Sequence, residues 1–366
     1  MAEAAATVPE RVLVCSVHQH DAPVVDLGAE ALLAEVGLAG ELCDVDFHEQ
    51  ALARVANALR AGLDKKRPFT HIGLGQARVE RIASNRRVVL DDGRVGFDRG
   101  SNSGGIPRLR DAPVGQIDPW LKTISFWDGE TPLVALHAYA THPMSYYGHG
   151  EVSADFVGMA RRRLQSKYPQ ALQIYVSGCS GDVTAGKYND GSPENRPLLA
   201  QRLYRAMEAA WLESGHRRQP VRQLALRSAP LALDFHEGAA FTTEALRKRL
   251  EQPSASIKSR ILAAMGLASR RRQSRPIDLS CVDFGPAQIV LFPGEAFVGY
   301  QLMAQRFRPD SFVLSIGYGE CWPGYIPTRA AFDDQFGSSW RWVGPGAEQK
   351  IRAALQRVLT HPQPVP

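Results

Sequence analysis

Five short apolar runs, each leading to residues able to do chemistry, constrain the fold of this chain more than any other feature. Residues 11–17 (RVLVCSV) lead into His18-Gln19-His20, and residues 132–140 (PLVALHAYA) into Thr141-His142-Pro143. Residues 173–178 (QIYVSG) lead on to Gly181-Asp182-Val183-Thr184, residues 287–292 (AQIVLF) to Pro293-Gly294-Glu295, and residues 312–319 (FVLSIGYG) to Pro323-Gly324-Tyr325. Runs of this length read as buried strands, because they are too short for helices and are bounded by turn residues. Further strands are expected at 41–47, within 70–90 before the turn Asp91-Asp92-Gly93, at 122–139 with a turn at Asp128-Gly129, at 221–235 and at 277–284. Helical spacing marks 27–37, 49–62, 153–167 with Ser153 as N-cap, 196–214, 241–272 with a break at Pro253, 295–306 and 346–360. This mixture predicts an α/β (mixed α+β) fold, with a layered sheet core, helices outside and a metal site at the strand ends. No linker or repeat divides residues 1–366, so one domain is expected. Residues 99–119, rich in Gly, Ser, Asn and Pro, form a long irregular segment of the kind that often serves function.

Charge narrows the partners. The net charge is +5, gathered partly in Arg161-Arg162-Arg163, His216-Arg217-Arg218 and Arg270-Arg271-Arg272. These runs read as solvated helix faces or ends, with peripheral contact to an anionic membrane surface or an acidic substrate as the sharper alternative. No basic stretch is interleaved with aromatics, so nucleic acid is not expected as a partner. The five cysteines form no CxxC pair and read as small buried apolar residues, which favours a reducing compartment. The first residues carry no signal-peptide pattern, which gives a cytoplasmic default, or a secreted or periplasmic location if the true start lies upstream.

Imidazole and carboxylate are zinc ligands, and a bound zinc lowers the pKa of its water to about 7. On a strand, His18 and His20 would share one face. Each piece also has a plain structural reading. A lone histidine before proline is often a satisfied structural group, a Pro-Gly-Glu triplet often opens a helix, and Tyr325 reads equally as packing.

The order of the pieces adds a resemblance. VLVCSVHQHDAP, AYATHPMS followed by EVSADFVGMA, SGCSGDVT, LFPGEAF and GYIPT are similar, in the same order, to motifs of the neutral/alkaline (non-lysosomal) ceramidase catalytic domain. The resemblance implies a zinc-dependent amidohydrolase that cleaves the N-acyl amide of ceramide or a related lipid to a fatty acid and an amine. It implies Zn2+ held by His18, His142, Glu295 and Tyr325, with His20 beside substrate. Arg86 matches a family arginine near the site, and Thr184, after Gly181-Asp182-Val183, stands where the family has serine. Thr184 and Asp182 therefore join His20 and Arg86 as catalytic candidates. Asp21-Ala22-Pro23 replaces the family's Ser-Gly-Pro. The family's leading segment and its C-terminal immunoglobulin-like domain have no counterpart here, so the N-terminus is expected to be incomplete. Met144-Ser145-Tyr146-Tyr147 and the aromatics Trp322, Phe336, Trp340 and Trp342 are expected to line a substrate pocket. A non-lipid amide or ester substrate, or a non-catalytic role in binding lipid or metal, remains as an alternative.

Overall fold

The computed structural model describes residues 1–319 and 323–360; Cys321 and Trp322 lie outside them. Helices α1 (Leu27–Ala34) and α2 (Val45–Gly62) precede strand β1 (His71–Arg78). The short strands β2 (Ser84–Asn85), β3 (Val88–Val89) and β4 (Val95–Gly96) follow, then α3 (Pro107–Asp111), β5 (Trp120–Asp128) and β6 (Thr131–Tyr139). Next come α4 (Asp155–Lys167), β7 (Leu172–Ser177), β8 (Val183–Thr184), α5 (Asn195–His216), β9 (Arg218–Pro220) and β10 (Ala225–Leu231). The chain continues through α6 (Thr243–Glu251), α7 (Ile257–Arg272), β11 (Ile277–Asp283), β12 (Ala287–Pro293) and β13 (Glu295–Ala296). It ends in α8 (Val298–Phe307), β14 (Phe312–Gly319), β15 (Tyr325–Ile326), α9 (Arg329–Asp333) and α10 (Ala347–Leu359).

Two sheets stack face to face. One runs β7-β6-β5-β1-β9, with only β6 and β7 parallel, and the other runs β10-β11-β12-β14, with β12 and β14 parallel. Alternate residues of each strand decide the layering. Ile72, Leu74, Ile124 and Val176 from the first sheet meet Ile289, Leu291, Leu314 and Ile316 from the second in one apolar cluster. Each such buried side chain contributes about 2 kcal/mol. The opposite face of the first sheet packs on α4 and α5, and that of the second on α8 and α10, giving four layers, α-β-β-α. Gly73 and Gly75 set the closeness of α5: a Cβ there would lie 2.1 Å from the Ser214 carbonyl oxygen and 2.0 Å from that of Ala210. Helices α1, α6 and α7 form a separate cluster with Trp342. The mixed, layered architecture is the one the sequence predicts.

Three local differences bear on the site. Residues 11–17 are not a buried strand. They cross the ends of β7 and β14, where Ser16 N–H donates to the Tyr318 carbonyl (3.0 Å) and Ser177 Oγ donates to the Val17 carbonyl (2.9 Å). With no ladder on either side, Val14 and Cys15 are exposed. The alternating apolar residues of 41–47 do not make a strand either: Asp44 accepts from Phe47 N–H (2.9 Å) and caps α2, so the helix starts at Val45. Glu295 does not open a helix; β13 pairs it in parallel with Tyr325 of β15, and α8 begins three residues later. Cys43, Cys179 and Cys281 are buried and, like Cys15, unbonded. Among the described residues no helix is long and apolar enough to cross a membrane.

Candidate metal centre

The parallel pairs β6/β7 and β12/β14 bring their C-terminal ends to one edge of the stacked sheets, and the polar residues that follow them converge there. His142 comes from the turn after β6 and is wholly buried. Its Nδ1 lies 2.8 Å from the Ser180 carbonyl oxygen and 3.0 Å from that of Val183. Carbonyls only accept, so Nδ1 carries the proton and Nε2 offers its lone pair. That Nε2 lies 3.4 Å from Glu295 Oε2, and neither atom has a hydrogen-bond partner among the described residues. His18 Nε2 lies 3.2 Å from the same carboxylate oxygen and 3.2 Å from His20 Nε2. The nitrogens of His18, His20 and His142 fall within 4.8 Å of one another.

Two acceptors buried side by side without a donor are costly unless a proton or a cation lies between them. Burial alone would raise the Glu295 carboxyl, but the His18 and His142 imidazoles draw it below the ordinary carboxylate range. Burial first, and then Arg86 and His18, lower His142 to about 4 against the opposing pull of Glu295. An imidazole kept neutral beside an ionised carboxylate is a donor set suited to a divalent metal, so the residues present fit one. Tyr325 completes the edge, where its hydroxyl accepts from Arg86 Nη1 (2.7 Å).

Backbone conformation shows how these side chains are aimed. Among the described residues six non-glycine residues have positive φ; His18 (+56°) and Tyr318 (+57°) lie at the site, and Asp155 (+46°) lies in the loop network beside it. Such left-handed turns cost about 1–3 kcal/mol and persist where surrounding contacts hold them. The His18 ring stacks on Tyr318 at 4.3 Å, and the Tyr318 hydroxyl lies 2.8 Å from Ser180 Oγ, so one serine steadies both histidine ligand candidates. Asp155 Oδ2 accepts from Ser145 N–H (2.9 Å) and lies 3.3 Å from Arg196 Nη2. Arg196 also donates to the Tyr146 carbonyl, which fixes the loop that places Tyr147 against His20 at 5.6 Å. Ser180 and Asp155 sit inside the quoted motifs and Tyr318 inside the run FVLSIGYG, but only packing shows their roles.

Solved structures share this fold. A neutral ceramidase from Pseudomonas aeruginosa superposes with a TM-score of 0.56 at 14% identity, covering 83% of this chain and 55% of its own. A ceramidase complexed with C2 gives 0.62 at 13% identity, covering 95% and 61%. This chain has the ceramidase fold. It spans somewhat over half the length of those ceramidases. No family model and no curated sequence matches it.

Within the ceramidase fold the remaining candidates separate. Arg86 lies against the Tyr325 ring, 5.5 Å from its centroid, and belongs to the cluster. Thr184 does not present a free hydroxyl: it is wholly buried, accepts from Gly186 N–H (3.1 Å) and donates to the Arg99 carbonyl (3.4 Å), and its hydroxyl has no other hydrogen bond among the described residues. The Asp182 carboxylate accepts from Val298 N–H (2.8 Å), at the first turn of α8, and from Asn85 Nδ2 (2.9 Å). Burial raises its pKa to about 6 against those bonds. Its carbonyl accepts from Arg86 N–H (2.7 Å), so Asp182 acts on the site through Arg86 and α8. Asp182→Ala strands two buried donors. We expect a loss on the order of 3 kcal/mol in a urea melt, and a loss below about 1 kcal/mol would refute this positioning role. Phe336, expected to line a pocket, is buried in the core instead; Trp342, though nearly buried, lines a cavity with Leu231, Leu233 and Phe235, Trp340 is half-buried, and Tyr147 and Tyr318 are aromatics that face the cluster.

Proposed function

We propose that this chain is a zinc-dependent hydrolase of N-acyl amides, with ceramide or a related lipid as substrate class. His18, His142, Glu295 and Tyr325 would hold the metal, and the catalytic unit would span the chain. The observation that carries the reading is the pair of buried acceptors, His142 Nε2 and Glu295 Oε2, left without a donor beside His18. A bound zinc would supply Lewis acidity toward the acyl carbonyl and water acidified to a pKa of about 7. The chain's own residues orient and charge the site. The Ser180 and Val183 carbonyls lock the His142 tautomer, and Tyr318 holds the His18 ring. Arg86 brings fixed positive charge to Tyr325 and can steady negative charge developing on an acyl oxygen. His20, at the open side of the cluster, is placed to touch substrate.

Elemental analysis, with turnover of a fluorescent short-chain ceramide against a panel of polar amides, tests the proposal. Zinc together with ceramide cleavage that is lost on chelation and restored by zinc supports it. Turnover that survives complete metal removal sinks it. Cleavage of polar amides alone would favour a zinc hydrolase of non-lipid amides or esters, the reading that the packed Phe336 supports. For Thr184→Ala we expect turnover within roughly tenfold of the parent and a stability loss of about 1 kcal/mol, because the hydroxyl serves backbone groups. Complete loss of turnover in a folded variant would make Thr184 the nucleophile.

A further inference from the structure

Helix α2 is amphipathic yet buries nothing. Its apolar residues recur at helical spacing, Val45, Leu52, Val55 and Leu59, and line one face. Not one of its residues is buried, and Val55 is 56% exposed. A stripe of this kind is normally what holds a helix to a core, so here it is available to a partner.

The neighbouring elements say which partner. Helix α1 leads into α2 through a turn fixed by Glu30, whose carboxylate accepts from the backbone N–H groups of Gly40, Leu42 and Cys43. Helix α1 packs on α7, with Arg260 of α7 reaching the Val36 carbonyl (3.4 Å), so α2 starts beside the α6–α7 hairpin. Residues 242–275, which form that hairpin, hold nine Lys and Arg against two acidic residues. That excess of seven exceeds the whole chain's +5, so the rest of the protein is net negative. Arg247 is paired with Glu251, but the exposed Lys248, Lys258, Arg271 and Arg275 have no acidic partner among the described residues. An unmatched cationic hairpin next to an exposed amphipathic helix suits a surface that is anionic outside and apolar beneath.

We propose that α2 and the α6–α7 hairpin together dock this protein on an anionic lipid bilayer, with Leu52, Val55 and Leu59 entering the interface. The inference stands apart from the amidase reading, because binding is measured without turnover and chelated protein should bind equally well. The test is co-sedimentation of the full chain with phosphatidylcholine vesicles, with and without phosphatidylglycerol, at low and high salt. Binding is expected only to the vesicles containing phosphatidylglycerol, and salt should weaken it. Arg271→Glu/Arg275→Glu should lower affinity by roughly tenfold or more. Leu52→Asp/Val55→Asp should abolish retention while leaving the melting temperature unchanged, since neither side chain is buried. Equal binding to both vesicle types, no binding, or binding indifferent to both double variants overturns the proposal. So does a parent chain that is dimeric in solution and becomes monomeric as Leu52→Asp/Val55→Asp, which would assign the stripe to a second copy.

Discussion

If the proposed function holds, His142→Ala is expected to bind no divalent metal and to lose hydrolysis with it. Losing even an outer partner of a metal ligand costs about 10–100-fold in affinity, so losing the imidazole itself should cost more than that. His142 is the ligand candidate with the most fixed geometry: it is wholly buried, its tautomer is set by two carbonyls, and its Nε2 meets Glu295. The same burial means the substitution also disturbs packing. Glu295→Gln is therefore the companion variant, because it keeps the volume and removes only the charge. Both should bind zinc far below one equivalent by elemental analysis, and Glu295→Gln should retain a cooperative melt. Stoichiometric zinc in both variants would remove this cluster from consideration as the metal centre.

The largest effect on stability is expected at Arg99→Met. Arg99 is wholly buried and has no carboxylate partner among the described residues. Its guanidinium instead donates to the carbonyls of Leu109 (2.9 Å), Asn85 (3.0 Å), Pro113 (2.9 Å) and Ala112 (3.1 Å). Methionine matches the volume and supplies none of these donors, so several buried carbonyls lose their partners at once. A loss on the order of 4 kcal/mol in urea denaturation is expected. Turnover should fall as well, because the Asn85 carbonyl that Arg99 holds adjoins Arg86. A loss below about 1 kcal/mol would mean that the 99–119 segment is held by other contacts.

The sequence shows the outline of this protein because continuous apolar runs are physical statements about burial. β6, β7, β12 and β14 lie where those runs predict, and the helices follow their 3.6-residue period. Residues 11–17 have the same composition, but whether a run gains a ladder depends on neighbours far away in the chain, and here there is only a crossing. The pairing of Glu295 with Tyr325 involves strands of two residues, below anything that periodicity can register. At the site, residue chemistry picks out His18, His142 and Glu295, which the fold brings together. The motif that contains Thr184 says nothing of which way its hydroxyl points; the Gly186 amide decides that. Arg99 carries no signal at all in the sequence, since its partners are backbone carbonyls and any residue has one.

The separation of the converging residues along the chain has a consequence for the protein's assembly. His18 follows the segment that crosses the sheet ends, His142 follows β6, and Glu295 and Tyr325 sit in the small β13–β15 pair, so the four come from nearly the whole length of the polypeptide. Contacts so distant in sequence form slowly, because the chain must first close very long loops. During synthesis the first histidine therefore waits for almost all of the protein to emerge before its carboxylate neighbour exists. The cluster is among the last features to become native, and competence to load a metal should report completed folding rather than guide it.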